Sequence, residues 1–217
     1  LHLVDRKRLS YPWLSEAPDL DRDWAYEAYN EVAARVGIGA TLHMEVDVAP
    51  ADIAKETTMI AGLMALEDSL IQGAIASGRP EQEDFAAYLE TLDRTVVKGL
   101  RRVLHVMPDD LSTTRLFQEN IRRLAEFRLP FDICVLQRQL PLAAKLADAA
   151  PDVTFVVDHC GVPDMKKDHF GDWADHMSDL ALRPNVNAKI SGIVAYTGGT
   201  FTLETLRPYV EHVIDAF

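Results

Sequence analysis

Cysteine is scarce in this chain: Cys134 and Cys160 are the only two among 217 residues. Each lies inside an apolar run, a setting for reduced, buried thiols and not for a disulfide framework or a zinc knuckle. Positive charge is also short. Lys and Arg total 22 against 34 Asp and Glu, a formal net charge of -12, which argues against a nucleic-acid or anionic-membrane surface. A small anionic substrate is still compatible, because one or two local arginines suffice to hold it. No run approaches the roughly 20 apolar residues of a membrane span, and Leu1 to Ser10 lacks the apolar core of a signal peptide. The expected address is therefore cytoplasmic. No Gly-x-Gly-x-x-Gly or Gly-x-x-x-x-Gly-Lys motif follows an apolar run, so a nucleotide-binding sheet loses its main support. Gly-x-Ser-x-Gly, the nucleophile elbow of α/β-hydrolases, does not occur.

What the chain does have is 48% hydrophobic and 26% charged residues, enough for an ordinary globular core. From Arg35 onward, short apolar or β-branched runs alternate with longer stretches of helical period. The runs predict strands over Ala40 to Val48, Leu70 to Ser77, Val97 to His105, Phe131 to Leu136, Thr154 to His159 and Val186 to Ser191. Between them, helices are predicted over Ala51 to Leu66, Gln82 to Thr91, Thr113 to Phe127, Leu140 to Ala149, Phe170 to Leu182 and Leu203 to Phe217. Ser112 or Thr113 can cap the helix that carries Phe117, Ile121 and Leu124. Pro130, Pro151 and Pro184 end the helices before them. Repeated β/α alternation without a nucleotide motif points to a (β/α)8 barrel forming one domain over 1–217, incomplete at both ends. His2 and Leu3 read as the remnant of a first strand, and a last strand is missing.

Chemistry in such barrels sits at the C-terminal ends of the strands. The polar residues there are Glu45 and Asp47, His105, Asp158 and His159, and Lys189 with Ser191. Alternation puts Arg101, Val103 and His105 on one face of a strand, so Arg101 and His105 can both face the mouth. Arg101 can fork onto a substrate carboxylate or carbonyl, or pair with an acid of its own protein. Asp158 and His159 point to opposite faces of a regular strand, and His159 is the one expected to face the mouth as ligand, acid or base. Lys189 and Ser191 share a face before Gly192, and a lysine inside a barrel must be paired, with Glu45 or Asp158 as the candidate partner, or have a shifted pKa. His43, Glu45 and Asp47 also share one face. His169, His176 and His212 read as solvated, and both cysteines read as core fillers with no basic residue beside them.

Four segments carry a resemblance: His-Leu-Val-Asp at 2–5 with Tyr11-Pro-Trp-Leu, Lys-Gly-Leu-Arg-Arg-Val-Leu-His at 98–105, Val-Asp-His-Cys-Gly-Val-Pro at 157–163, and Ala-Lys-Ile-Ser-Gly at 188–192. In this order the chain resembles the amidohydrolase-related TIM-barrel hydrolases that include sugar lactonases and 2-pyrone-4,6-dicarboxylate lactonase. The resemblance implies that His2 matches the second member of a His-x-His pair, that Arg101 contacts substrate, and that His159 and Lys189 with Ser191 match late-strand site residues. It also implies a catalytic Asp on a final strand, which is not among these residues. The expected reaction is opening of a lactone or similar cyclic ester of a small organic or sugar acid by activated water. His159 and His2 would be catalytic, with Arg101, His105, Lys189, Ser191 and Glu45 holding the small-molecule substrate. By the same resemblance a divalent metal such as zinc, on His2 and His159, is one option and no metal is the other. The alternatives are a metal-dependent decarboxylase of an aromatic acid and a degenerate barrel that binds a ligand without turnover. Neither nucleic acid nor membrane is an expected partner, and the oligomeric state, a homo-oligomer included, is left open.

Overall fold

The computed structural model describes residues 1–165 and 170–217. The chain forms two compact units, one of Leu1–Gly78 with Thr91–Arg101, the other of Arg79–Glu90 with Arg102–Phe217. In chain order the main elements are α1 (Tyr26–Arg35), β1 (Thr41–Met44), α2 (Ile53–Met64), β2 (Ile71–Ser77), α3 (Phe85–Glu90), β3 (Val97–Val103), α4 (Arg115–Phe127), β4 (Phe131–Cys134), α5 (Leu140–Ala149), β5 (Phe155–Val157), α6 (Phe170–Ala181), β6 (Val186–Ala188) and α7 (Leu203–Ala216). His169 lies outside the described residues.

In the first unit β1, β2 and β3 run parallel, with Leu42 opposite Gly73, Ile75 opposite Gly99 and Ser77 opposite Arg101. The strand expected around His2 is reduced to one bridge. The Leu1 nitrogen donates to Leu42 O at 3.2 Å and the Met44 N–H donates to Leu1 O at 2.7 Å, the alternating pattern of a parallel neighbour. Val4 then pairs antiparallel with Trp24. The sequence reading also passed over α1, whose Tyr26 and Ala33 are buried and whose Tyr26 hydroxyl accepts the Leu70 N–H at 2.7 Å just before β2.

The second unit repeats the scheme, with Phe131 opposite Phe155 and Phe155 opposite Val186 in parallel ladders. Its core is an aromatic column in which Phe117 of α4 meets Phe131 of β4, and Phe131 meets Phe155 of β5, both edge-on with centroids 6.3 Å apart. Such contacts contribute about 0.5–1.5 kcal/mol each beyond the area they bury. Phe117, Ile121 and Leu124 are all inaccessible to solvent, as their spacing required. The cap of α4 is a correction: Thr114 accepts the Phe117 N–H, whereas Ser112 and Thr113 belong to a 3-10 turn before it. Arg128, at φ 50°, closes the helix in the left-handed region.

Every strand is shorter than predicted, and β1, β5 and β6 stop where the polar residues Glu45, Asp158 and Lys189 begin. β1 stops before Glu45, and Asp47 takes φ 46°. β3 stops before Leu104 and His105, whose N–H groups both donate to Cys134 O at 2.9 and 3.1 Å. Glu45, His105, Asp158, His159, Lys189 and Ser191 therefore stand just beyond strand ends, whereas Arg101 stays in the β3 ladder opposite Ser77.

Candidate functional site

In the second unit the site begins with Asp132, a lone acid in the apolar strand Phe131–Cys134. Alternation turns Phe131 and Ile133 toward α4 and α5 and turns Asp132 and Cys134 to the opposite face. Asp132 is buried and accepts a short hydrogen bond from Lys189 Nζ, which also donates to Asp158 Oδ1 at 2.9 Å. One ammonium thus bridges two buried carboxylates. The lysine partner expected from sequence was Glu45 or Asp158: Asp158 is found, Glu45 bonds elsewhere, and Asp132 was missed. The signal for Asp132 was present, since a single carboxylate in a fully apolar strand needs a cation.

Asp158 and His159 do not diverge as a regular strand would make them. After Val157 the chain leaves the β region and four successive residues, His159, Cys160, Gly161 and Val162, take φ of 55°, 54°, 67° and 46°. Only one of the four is glycine, and each of the others costs about 1–2 kcal/mol in this conformation. The turn is held by Cys160 N–H to Lys189 O at 2.9 Å, Gly161 N–H to Asp158 O at 2.9 Å and Val162 N–H to His159 O at 3.0 Å. Strain of this kind persists where the surroundings over-determine it and concentrates at functional sites. Its effect is to bring a ring nitrogen of His159 to the side of Asp158, so that these two and the Cys134 sulfur offer donor atoms all within 4.8 Å of one another.

His159 is half-buried, with Nδ1 2.9 Å from Ser191 Oγ and its ring 6.3 Å from that of Tyr196. Gly192, at φ 61°, lets the chain pass beside it: a Cβ there would stand 2.6 Å from His159 Nδ1. Replacing Gly192 by alanine is therefore expected to push the imidazole off Ser191, to cost about 1–2 kcal/mol of stability from the backbone alone, and to lower turnover more than the stability loss explains. Thermal melting beside steady-state kinetics separates the two effects; unchanged kcat would show that the ring position is not critical.

Cys134 also departs from expectation. A basic group does lie beside it, because His105 Nδ1 is 3.2 Å from its sulfur. Cys160 keeps the core role: buried, its thiol pKa is pushed up by desolvation. Neither thiol is in a disulfide. A cavity of about 590 Å³ opens past Tyr196, lined by Gln137, Arg138, Asp164, Asp172 and His176 among others; its volume lies within the common range for small-ligand sites. Arg138 is already paired with Asp109 at 3.0 Å. His212 bonds to Ala174 O and Ser178.

The first unit holds a separate buried polar group. Arg101 Nε donates to Glu45 Oε1 at 2.7 Å and its Nη2 donates to Glu45 O. Of the two roles open to Arg101, the internal ion pair is the one observed. Glu45 Oε2 further accepts the Asp47 N–H at 2.7 Å. His43 leans the other way, with Nε2 3.2 Å from Glu56 Oε1 of α2; burial drives its pKa down to about 3, so the ring is a neutral donor. His2 is exposed. Arg102, adjacent to Arg101 but in the second unit, pairs with Glu81 at 2.7 Å.

Parallel β/α repeats with polar residues gathered just past the strand ends are the arrangement of (β/α)8-barrel enzymes. A solved amidohydrolase from Burkholderia multivorans with bound zinc superimposes on the whole chain and on 78% of its own length, with a TM-score of 0.86 and 22% identity. A probable 2-pyrone-4,6-dicarboxylic acid hydrolase from Acinetobacter baumannii with citric acid bound covers 97% of the chain and 74% of itself, with a TM-score of 0.73 and 13% identity. Among curated proteins, the L-fucono-1,5-lactonase of Burkholderia ambifaria is 28% identical over 168 residues, 76% of this chain and 54% of the lactonase. The sequence model of the amidohydrolase family matches residues 1–217, and the chain belongs to that family. No helix among the described residues is long and apolar enough to cross a membrane.

Proposed function

We propose that the protein opens a neutral, hydroxyl-bearing lactone by water attack, with His159 at the reacting carbonyl. The observation that carries this is the placement of His159, whose ring a strained left-handed turn, Ser191 and Gly192 all constrain. Attack on an ester carbonyl puts negative charge on oxygen, and a held imidazole that can present a proton stabilises it. Lys189, fixed between Asp132 and Asp158, offsets the charge of two buried carboxylates beside that ring. Tyr196 offers a flat wall for a sugar ring. A divalent cation such as zinc fits the sulfur, nitrogen and oxygen donors of Cys134, His159 and Asp158, and bound there it would supply Lewis-acid polarisation of the same carbonyl. We read 1–217 as one domain in support of this chemistry, since one family model spans it.

The charges favour a neutral substrate over a dicarboxylate. Arg101 is engaged by Glu45, Arg138 by Asp109 and Lys189 by two acids, while Asp164 and Asp172 add negative charge to the cavity wall. This departs from the expectation that Arg101 and His105 hold a substrate carboxylate. The test is hydrolysis of a sugar 1,5-lactone, the fucono-lactone first, against 2-pyrone-4,6-dicarboxylate. The sugar lactone is expected to lead in kcat/KM by at least about 10-fold, a difference of about 1.4 kcal/mol. Preference for the dicarboxylate would overturn the charge argument, and inertness toward every lactone would overturn the reaction class.

A further inference from the structure

Helix α6 turns two faces to two tasks. Trp173 and Met177, one helical turn apart, are fully buried and press on the turn that aims His159: Trp173 Nε1 donates to Cys160 O at 2.9 Å, and a Cβ on Gly161 would stand 2.6 Å from Met177 Sδ. Asp172 and His176, each one position earlier in the helix, share the same i, i+4 spacing and line the cavity of about 590 Å³ whose wall includes Tyr196. The helix that clamps the His159 turn is therefore also a wall of the cavity. Read as solvated from the sequence, His176 is half-buried there, and its Nδ1 is buried with no hydrogen-bond partner among the described residues.

We propose that Asp172 and His176 form a subsite for two neighbouring ring hydroxyls of the substrate and so determine which lactone is accepted. The assignment rests on the lactone reading and adds to it the residues that recognise the alcohol part of the molecule. A carboxylate only accepts hydrogen bonds and has about four positions for them, whereas a neutral imidazole offers one donor and one acceptor. A hydroxyl both donates and accepts, so adjacent hydroxyls satisfy such a pair. A ligand carboxylate would instead set its oxygens against Asp172 with no proton between them. The χ2 torsion of histidine is soft, so the ring can turn either nitrogen to a bound hydroxyl. A nitrogen buried without a bond carries a cost that the hydroxyl removes, and a lactone lacking the hydroxyl leaves that cost in place. Sites of this kind reject the bare analogue far more strongly than an apolar pocket does.

Tyr196 joins the two ends of the site, since it lines the cavity while its ring lies 6.3 Å from that of His159. With α6 held on the His159 turn, hydroxyls bound at Asp172 and His176 fix how far the carbonyl stands from the imidazole. Binding at the alcohol end is thereby converted into orientation at the reacting end.

Three probes test this: the fucono-1,5-lactone, δ-valerolactone, which has the same lactone ring and no hydroxyls, and methyl α-L-fucoside, which has the hydroxyls and no carbonyl. In the parent, kcat/KM is expected to favour the sugar lactone over δ-valerolactone. His176→Ala and, separately, Asp172→Ala are expected to lower the ratio of the two kcat/KM values about 10–100-fold, the worth of hydrogen bonds to a polar or charged group. Damage to the fold or to the His159 turn slows both lactones alike and leaves the ratio in place. Calorimetric titration with the fucoside is expected to show binding to the parent that weakens about 10-fold in either variant. A ratio or a fucoside affinity that is unchanged in both variants would overturn the subsite while lactone hydrolysis stands. Fucoside binding that the variants weaken, in a protein that opens no lactone, would support the subsite and overturn the reaction class. A parent that neither binds the fucoside nor opens a lactone would overturn both.

Discussion

His159→Asn is expected to lower kcat/KM for the sugar lactone by about 10²–10⁴-fold, the range associated with loss of a positioned acid–base group, with little change in melting temperature. The choice of asparagine follows from the backbone. His159 has φ 55°, and asparagine is the non-glycine residue that tolerates the left-handed region best. Alanine would confound chemistry with strain. The amide can still bond to Ser191 Oγ, but it neither carries a proton to the carbonyl nor ligates a soft cation well. Steady-state kinetics with the lactone, beside thermal unfolding, decides the matter. An activity within a few-fold of the parent would remove His159 from the mechanism and leave the strained turn without the role assigned to it.

The fold was legible because its signal is repetitive. Each β/α unit announces itself through an apolar run, a helical period and a proline or cap between them, and an error in one unit leaves the others intact. The misses have local physical causes. The cap on α4 moved to Thr114 because the 3-10 turn at Leu111–Thr113 inserts before the helix, and spacing alone does not tell a 3-10 turn from a first helical turn. The helix α1 was passed over although Tyr26 and Ala33 share one face at i, i+7 spacing, because its buried stripe is short.

The candidate site was legible in part as residues but not as a geometry. Glu45, His105, Asp158, His159, Lys189 and Ser191 were picked out by position and stand just past strand ends, Arg101 by alternation and stands within β3, while Asp132 and Cys134 were passed over. Which of them meet depends on where each strand stops, and alternation fails at that point. Asp158 and His159 were assigned to opposite faces under a regular strand, yet four left-handed residues in a row bring both toward Cys134. A Gly161 in the middle of that run and, weakly, His159 hint at a turn, but Cys160 and Val162 carry no residue-type signal for positive φ. Arg101 shows the opposite limit: its pairing with Glu45 spans a long sequence separation, and no local pattern states that a buried guanidinium has already found its acid.

Lys189→Met is expected to destabilise the protein by about 3–5 kcal/mol near pH 7, since it leaves buried carboxylates without their cation. The lower part of that range is the better expectation, because the lysine side chain is 30% exposed and water reaches its head group, while Asp132 and Asp158 are 2% and 1% exposed. The pH dependence follows from the same two acids. Facing each other with no ammonium between them, at least one must take up a proton, so its pKa in the folded variant rises above the unfolded value of about 3.9. An acid whose folded pKa is raised penalises the folded state at high pH: the penalty is absent below about pH 4, grows as pH rises toward the folded pKa, and is complete above it. Urea unfolding at several pH values is therefore expected to show the variant nearest to the parent in acid and furthest from it above neutrality. Asp132→Asn added to Lys189→Met removes one of the two charges and should recover part of the loss at pH 7, with coupling of about 0.5–3 kcal/mol in a double-mutant cycle. A variant as stable as the parent at pH 8 would mean that the ammonium does not neutralise these acids, and the assignment of Lys189 as their common partner would fail with it.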